Sequence, residues 1–310
     1  MCTFSRRGWS GGRARWRSSS TTPRCDGRIS PCESPPRSSD HRAEILVSFD
    51  FHEPASIAEA VALAARFGTE ARFLAGGTDL LVQIRRKRVA PRHVVSLHRV
   101  PGLDTIDANG EIRLGALVTH RALERAPAFQ GALRALVEGA RVVGGHQIRN
   151  VGTVGGNIVN ASPAADVVPV LLVLDAAVTC VGPNGAREMK LDEFLLGPGE
   201  TALRPDELLT SIRFPAPALR SATGFLKAGR RRAMEISVVC VAVWLSLDGD
   251  DRCAGVRISL GAVGPRALRS CDRPVESSPR TVSRSRTSAH RQPTGGFSWK
   301  HSFRARSGQR

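Results

Sequence analysis

The sequence predicts a fold in which helices and strands are mixed along the chain, and three observations support this prediction. A capping box at Ser56-Ile57-Ala58-Glu59 opens an apolar helical stretch that continues to Phe67. Two turn sequences, Asn109-Gly110 and Pro183-Asn184-Gly185, each separate a pair of short strand-like runs and predict β-hairpins. Residues 237–247 form a continuous apolar run that is typical of a buried strand.

The other predicted elements follow from the same local signals. Gly68 is expected to end the first helix, and Thr119 is expected to cap a short helix that ends near Ala126. Apolar patterning predicts the rest: strands at 72–74, 93–97, 207–214 and 255–263, and helices at 80–86, 131–142 and 166–174.

Composition places the folded part in the middle of the chain. The chain has 310 residues and a net charge of +17, and the excess of arginine is concentrated at its two ends, residues 1–48 and 271–310. Both ends are rich in Arg, Ser and Pro and show the period of neither a helix nor a strand, so we expect them to be disordered. The lack of apolar periodicity also argues against a specific nucleic-acid-binding module there.

The sequence predicts a cytoplasmic protein without membrane insertion. It contains no run of about 18 apolar residues, and no apolar region follows the basic first residues as in a signal peptide. Seven cysteines are present without a C-x-x-C pair, and their odd number excludes a complete set of intramolecular disulfides, so a reducing compartment is expected. Cys180 and Cys240 lie in apolar runs and are expected to be buried, inert thiols.

The stretch from Gln147 to Asp166, QIRNVGTVGGNIVNASPAAD, is dense in glycine, hydroxyl and amide residues. Gly152, Gly155 and Gly156 can adopt positive φ and let a ligand approach the main chain closely. A loop of this kind presents a cluster of backbone N–H groups, which suits a phosphate or pyrophosphate. Taken alone, the stretch is also compatible with a pair of tight turns between strands.

A second glycine loop, residues 75–79 with the sequence AGGTD, follows a strand-like run and precedes a helix-like one. Strand, glycine turn and helix start is the arrangement in which an anion meets a helix N-terminus. Two such loops favour a cofactor with two linked phosphates. Thr78 or Asp79 can cap that helix. Because a carboxylate near pyrophosphate is repelled, Asp79 is better placed as the helix N-cap and Asp166 as an acceptor for a ribose or ribityl hydroxyl, with plain capping as the alternative role of both.

Common catalytic motifs are absent from the sequence. It contains no G-x-x-x-x-G-K-[ST] loop, no G-x-G-x-x-G after a strand, no H-E-x-x-H and no G-x-S-x-G. The isolated histidines, His93, His98, His120 and His146 among them, are expected to have surface or structural roles. The sequence therefore predicts no catalytic residue and no metal ligand, and its signal is for holding a cofactor that supplies the redox chemistry.

Four segments resemble the FAD-binding (medium) subunit of the molybdenum hydroxylases: FDFHEPASIAEAVAL, FLAGGTDLL, IRNVGTVGGNIVNASPAAD and FLKAGRRRAMEISVV. This family includes the medium subunit of carbon monoxide dehydrogenase and the flavin-binding part of xanthine dehydrogenase. The resemblance covers about Phe49 to Arg269. It implies an α+β FAD-binding fold of the vanillyl-alcohol-oxidase (PCMH) type with two subdomains at 49–218, and a truncated α+β C-terminal domain at 222–270.

The resemblance also implies a non-covalent FAD site. The two glycine loops would wrap the pyrophosphate, Asp166 would bind adenosine or ribityl hydroxyls, and Lys227 would approach the isoalloxazine ring, where a cation stabilises reduced, anionic flavin. The implied cofactor-binding residues are Phe73, Leu74, Ala75, Gly76, Gly77, Thr78, Asp79, Leu80, Val143, Thr153, Val154, Gly155, Gly156, Asn157, Asp166, Leu209 and Lys227.

In this family a large subunit with molybdopterin oxidises the substrate, and a small subunit with [2Fe–2S] clusters relays electrons to FAD. The chain carries neither set of motifs, so the resemblance implies an oxidoreductase subunit that passes electrons to an external acceptor and is inactive alone. A stand-alone flavoprotein oxidase and a decayed, non-catalytic remnant are the alternatives. Family members usually begin near Phe49 and continue past Arg269 with more helix and strand, so residues 1–48 resemble a non-native extension and residues 271–310 a frameshifted tail.

Overall fold

The computed structural model describes residues 48–231 and 234–270, all of which belong to one compact unit. The predicted N-terminal extension, except Ser48, and the predicted tail lie outside the described residues. The boundary predicted between residues 218 and 222 remains a prediction, because it falls inside this unit. Every helix in the described ranges is too short or too polar to cross a bilayer.

A small parallel sheet and two helices form the N-terminal part. Its strands are β1 (Asp50–His52), β2 (Ala71–Leu74) and β3 (His93–Ser96), with β3 in the middle, and its helices are α1 (Ile57–Phe67) and α2 (Leu80–Arg85). The predicted capping box of α1 is confirmed: Ser56 Oγ accepts from the Glu59 N–H at 3.1 Å, and the Glu59 carboxylate accepts from the Ala55 N–H at 2.9 Å. Gly68, with φ 52°, ends the helix as predicted.

The second sheet is antiparallel and contains both predicted hairpins. The first hairpin pairs β4 (Ile106–Asp107) with β5 (Ile112–Gly115), and the second pairs β6 (Ala177–Gly182) with β7 (Gly185–Lys190). A short ribbon of β8 (Leu195–Gly197) and β9 (Glu200–Thr201) precedes β10 (Leu208–Phe214), which lies at the centre of the sheet order β4-β5-β10-β6-β7.

Short helices fill the connection between the two hairpins. They are α3 (His120–Arg125), α4 (Arg134–Arg141), α5 (His146–Val151), α6 (Val154–Val159) and α7 (Val168–Val173), and α8 (Leu191–Phe194) follows β7. Thr119 caps α3 as predicted, since its Oγ1 accepts from the Ala122 N–H at 3.1 Å. The prediction of a loop at 147–166 was wrong over α5 and α6. Val154 and Ile158 are both fully buried, so packing overrides the low helix propensity of glycine in α6.

A third, antiparallel sheet follows in chain order. Its strands are β11 (Ser221–Ala228), β12 (Val239–Leu247), β13 (Cys253–Gly261) and β14 (Leu268–Arg269). Strands were predicted from the sequence at the positions of β12 and β13 but not at β11. Phe225 is the one buried residue of β11, so this strand lacks an apolar signal in the sequence.

The third sheet shares the main hydrophobic core. Phe225, Cys240 and Ala242 belong to the same buried cluster as the second sheet and its helices. A second, smaller cluster lies between α1, β2 and β3. Cys180 and Cys240 are buried free thiols as predicted, and burial raises the pKa of each to about 11.

Candidate functional site

Both glycine-containing stretches line one cleft of about 470 Å³. One wall is the end of β2, the loop after it and the start of α2, and the other includes α5, α6 and the turn before α5. The walls meet at Gly76, where an added Cβ would overlap the backbone carbonyl of Val151. The absence of a side chain at Gly76 is therefore what allows the two stretches to come together.

The loop after β2 offers a row of unpaired backbone donors. The N–H groups of Gly76, Gly77, Thr78, Asp79 and Leu80 donate no hydrogen bond to any described residue. Gly77 has φ 70°, a conformation that glycine adopts without strain. Unpaired N–H groups at the start of a helix carry partial positive charge, so this loop has the chemistry of an anion-binding site.

Asp79 occupies the N-cap position of α2, but neither Thr78 nor Asp79 caps the helix through its side chain, so that prediction was wrong. The backbone of Asp79 is helical, with φ −103° and ψ −51°, rather than extended as a capping side chain requires. Burial raises the pKa of the Asp79 carboxyl, and a hydrogen bond with Thr78 opposes that rise. The carboxylate remains beside the cleft as an acceptor.

The glycines of the other stretch differ from the prediction. None of Gly152, Gly155 and Gly156 has positive φ. The Gly155 N–H donates to the Ala116 carbonyl at 3.0 Å and the Gly156 N–H to Thr153 Oγ1 at 3.0 Å, so the expected cluster of free donors is absent here. Gly155 is required for packing, because a Cβ would lie 2.6 Å from the Ala116 oxygen. A Cβ at Gly156 would lie 2.9 Å from Thr153 Oγ1, the hydroxyl that caps α6, so a side chain there would force this cap to shift.

Two polar side-chain atoms on residues of the cleft are buried without partners among the described residues. Asn157 Oδ1 and His120 Nδ1 have no hydrogen-bond partner among the described residues. Burial lowers the pKa of His120 to about 4, and the nearby Arg149 guanidinium acts in the same direction, so the imidazole is neutral at pH 7. His120 was predicted to have a surface or structural role. No local signal in the sequence distinguished His120 from the other isolated histidines.

Most of the predicted cofactor-binding residues line the cleft: Phe73, Ala75, Gly76, Gly77, Thr78, Asp79, Leu80, Val143, Thr153, Gly156 and Asn157. A smaller apolar cavity of about 90 Å³ shares Phe73 and Gly156 with the cleft and is also lined by Gly155 and Leu209. Leu74, Val154, Asp166 and Lys227 line neither space. The cleft residues that the sequence analysis did not single out for it are Arg72, Gln83, His120, Ile148, Val159 and Gly199.

Asp166 and Lys227 bind each other. Lys227 Nζ lies 2.7 Å from Asp166 Oδ2 and donates to the Glu235 carbonyl at 2.9 Å, and Ser237 Oγ donates to Asp166 Oδ1 at 2.6 Å. Burial raises the pKa of the Asp166 carboxyl, while the hydrogen bonds from Lys227 and Ser237 lower it. The pair therefore fastens β11 and the segment after it to the end of the 147–166 stretch. Direct contacts of either residue with a cofactor remain predictions.

Comparison with known proteins identifies the family of the chain that contains this cleft. Residues 47–217 match the model of the FAD binding domain in molybdopterin dehydrogenase. The chain belongs to the FAD-binding subunit family of the molybdenum hydroxylases. Residues 224–272 match the model of the CO dehydrogenase flavoprotein C-terminal domain.

Individual relatives agree with this family. The carbon monoxide dehydrogenase medium chain of Hydrogenophaga pseudoflava is 33% identical over 222 residues, which are 71% of this chain and 77% of the relative. The xanthine dehydrogenase FAD-binding subunit of Escherichia coli O157:H7 is 34% identical over 227 residues, with the same coverage of 71% and 77%.

A solved structure has the same fold. It is carbon monoxide dehydrogenase from Hydrogenophaga pseudoflava lacking the Mo-pyranopterin moiety of the molybdenum cofactor, with a TM-score of 0.69 and 33% identity. The match covers 72% of this chain and 77% of that chain. The predicted family, the α+β FAD-binding fold and the assignment as an oxidoreductase subunit are confirmed.

FAD is the cofactor of this family, and the residues of the cleft fit it. The loop from Gly76 to Leu80 has free N–H groups suited to phosphate oxygens. Asn157 Oδ1 is an unpaired acceptor, suited to a hydroxyl or amino group, and such orphan atoms are typical of sites that a ligand completes. Gly156 lines the same cleft without a side chain of its own.

Proposed function

We propose that this chain is the FAD-binding electron-transfer subunit of a molybdenum hydroxylase. In this proposal a large partner subunit carries molybdopterin and oxidises the substrate. A small partner subunit with [2Fe–2S] clusters delivers the electrons to this chain, from which an external acceptor takes them. Bound FAD supplies the ability to accept and release electrons, which no side chain of the cleft provides.

The observation that carries the proposal is the row of unpaired N–H groups from Gly76 to Leu80 beside a cleft that both glycine stretches share. A hydrogen bond to a charged acceptor contributes roughly 1.5–3 kcal/mol, so a few of these donors suffice to hold a pyrophosphate. The dipole of α2 acts in the same direction, because the N-terminus of a helix attracts negative charge.

The side chains of the cleft have supporting roles in this proposal. Asn157 would accept from a hydroxyl or amino group of the cofactor, and Asp79 would accept from a donor away from the phosphates. His120 is neutral at pH 7, so it adds no charge that would compete with the loop for the phosphates. Arg72 donates to the carbonyls of Thr69 and Ala71, which orients its charge along the backbone of the first sheet.

The test uses the full chain with and without partner subunits. We expect the purified chain to bind FAD and to leave it oxidised when xanthine, nicotinate or carbon monoxide is added. When the small and large subunits of the same complex are co-expressed, the substrate of that complex should reduce the flavin. Absorbance of the flavin band reports both outcomes.

Three results would contradict the proposal in different ways. Reduction of the flavin by an organic substrate without partners would favour a stand-alone flavoprotein oxidase. Absence of FAD binding would favour a non-catalytic remnant. Binding of FAD without any reduction in the assembled complex would show that the chain holds the cofactor but does not transfer electrons.

A further inference from the structure

Arg149, in α5, is a buried cation whose guanidinium makes four separate contacts. Arg149 is 6% exposed. Nη1 donates to the carbonyls of Val143 and Gly144, both at 3.2 Å, and Nη2 donates to His146 Nδ1 at 3.2 Å. Nε lies 3.3 Å from the Glu124 carboxylate on α3. All three nitrogens of the guanidinium are therefore engaged, in directions that a single ammonium group could not reproduce.

The carbonyls that Arg149 binds belong to the turn of residues 142–144, which connects α4 to α5. The preceding carbonyl, that of Val142, accepts from Lys227 Nζ at 3.4 Å, so three consecutive carbonyls point at two cations. Gly144 has φ 48°, and a Cβ there would lie 3.0 Å from Ile148. The turn is therefore tight, and its shape depends on the cations that hold its carbonyls.

The elements that Arg149 connects both contribute to the cleft. The turn and α5 supply Val143 and Ile148 to its wall, and α3, which carries Glu124, supplies His120. Glu124 also accepts from Arg121 at 2.9 Å, which fixes the carboxylate in place. Arg149 thus joins two parts of one wall without lining the cleft itself.

We propose that Arg149 is a positioning residue of the cofactor site: its guanidinium fixes the 142–144 turn against α3 and so holds Val143, Ile148 and His120 in the geometry that the cofactor requires. This inference rests on the proposed binding of FAD. It assigns to Arg149 an effect on the bound cofactor, beyond a contribution to the stability of the fold.

The test compares Arg149→Lys with Arg134→Lys in the full-length chain. Arg134 is the matched control, because it pairs with Glu138 at 2.9 Å on α4 but its side chain is 68% exposed and lies away from the cleft. FAD affinity is measured by fluorescence titration well below the unfolding temperature of each variant, and the visible circular dichroism of bound flavin reports its surroundings. We expect Arg149→Lys to raise the Kd at least about tenfold and to change the dichroism, while Arg134→Lys matches wild type.

A second variant keeps the inference falsifiable if Arg149→Lys does not fold. Gly144→Ala disturbs the turn without removing a buried charge, since alanine is strained at the φ of this residue. It is expected to raise the Kd and alter the dichroism in the same direction. A wild-type Kd and dichroism in the folded variants, or a raised Kd with unchanged dichroism, would overturn the positioning role. If the wild-type chain itself binds no FAD, the proposed function fails instead.

Discussion

Gly76 meets the strictest steric requirement among the residues of the cleft. The atom that a side chain would strike is a backbone oxygen, at the junction of α5 and α6, and not the end of a flexible side chain. A Cβ can therefore be accommodated only if the two walls of the cleft separate. Gly76 therefore contributes the absence of a side chain in addition to a free N–H group, and Gly77 to Leu80 contribute free N–H groups.

Gly76→Ala is expected to weaken FAD binding at least about tenfold and to lower the free energy of unfolding by about 1–3 kcal/mol, as overpacking generally does. Gly224→Ala is the matched control, because a Cβ at Gly224 meets nothing within 4 Å. Urea unfolding and FAD titration measure the two effects. Wild-type affinity in Gly76→Ala would show that the walls need not meet at this point.

His120 predicts a specific pH dependence of stability. Its pKa falls from 6.5 to about 4 in the folded chain, so the unfolded chain binds the proton first as the pH drops. The free energy of unfolding therefore carries the full contribution of the neutral imidazole above pH 6.5. It decreases by about 3 kcal/mol as the pH falls from 6.5 to about 4.

Urea unfolding of wild type and His120→Gln across this range tests the prediction. The variant cannot gain a proton at this position, so its stability should fall less steeply as the pH decreases. Parallel curves for the two proteins would show that His120 does not titrate as its burial implies.

Secondary-structure elements with local signals could be predicted from the sequence, and those that depend on packing could not. The caps Ser56 and Thr119 act within a few residues, and so do the turns of the two hairpins. Helix α6 depends instead on burial of Val154 and Ile158 against distant parts of the chain. Strand β11 forms by pairing along its whole length with β12, which no period in its own sequence indicates.

The Arg187–Glu207 pair holds β7 to the start of β10. Arg187 donates through Nε and Nη2 to the two carboxylate oxygens of Glu207, both at 2.7 Å, and through Nη2 to the Ala202 carbonyl. The hydrogen bond from Arg187 is the main cause that lowers the pKa of Glu207. A carboxyl with a lowered pKa stabilises the fold above its ordinary pKa and loses that contribution as the pH falls below it.

Glu207→Gln is therefore expected to lower the free energy of unfolding by about 2 kcal/mol at neutral pH, with a smaller difference in acid. Glu70→Gln is the control, since the Arg92–Glu70 pair is exposed at 76% and 50% and such pairs contribute about 0–1 kcal/mol. Chemical denaturation of both variants decides the matter. Equal losses at the two positions would mean that burial of the Glu207 carboxylate is unimportant.

At the scale of the whole molecule, the site joins segments that lie far apart in the chain. The cleft takes residues from the segments 72–83 and 148–160, together with His120, Val143 and Gly199. The sequence indicated both glycine stretches, and the family resemblance indicated FAD. The sequence could not show which N–H groups remain free. Donors at the start of α6 bond to carbonyls such as that of Ala116, and these carbonyls lie close to α6 only in the complete fold.

The third sheet is also connected to the cleft. Through the Lys227 contacts with Asp166 and the Val142 carbonyl, β11 reaches the turn that Arg149 also holds. The C-terminal sheet is therefore hydrogen-bonded to the turn beside the cleft, although Lys227 does not line the cleft itself.

Titration of the purified chain with FAD, in wild type and Gly156→Asp, tests the cofactor site most directly. An aspartate at 156 would place a negative charge on the wall of the cleft that the N–H groups from Gly76 to Leu80 also line, and its Cβ would displace Thr153 Oγ1. Gly224→Asp carries the same change of charge away from the cleft. We expect wild type and Gly224→Asp to bind FAD alike and Gly156→Asp to bind it at least about tenfold more weakly. Equal affinity of all three proteins would contradict the assignment of this cleft as the FAD site.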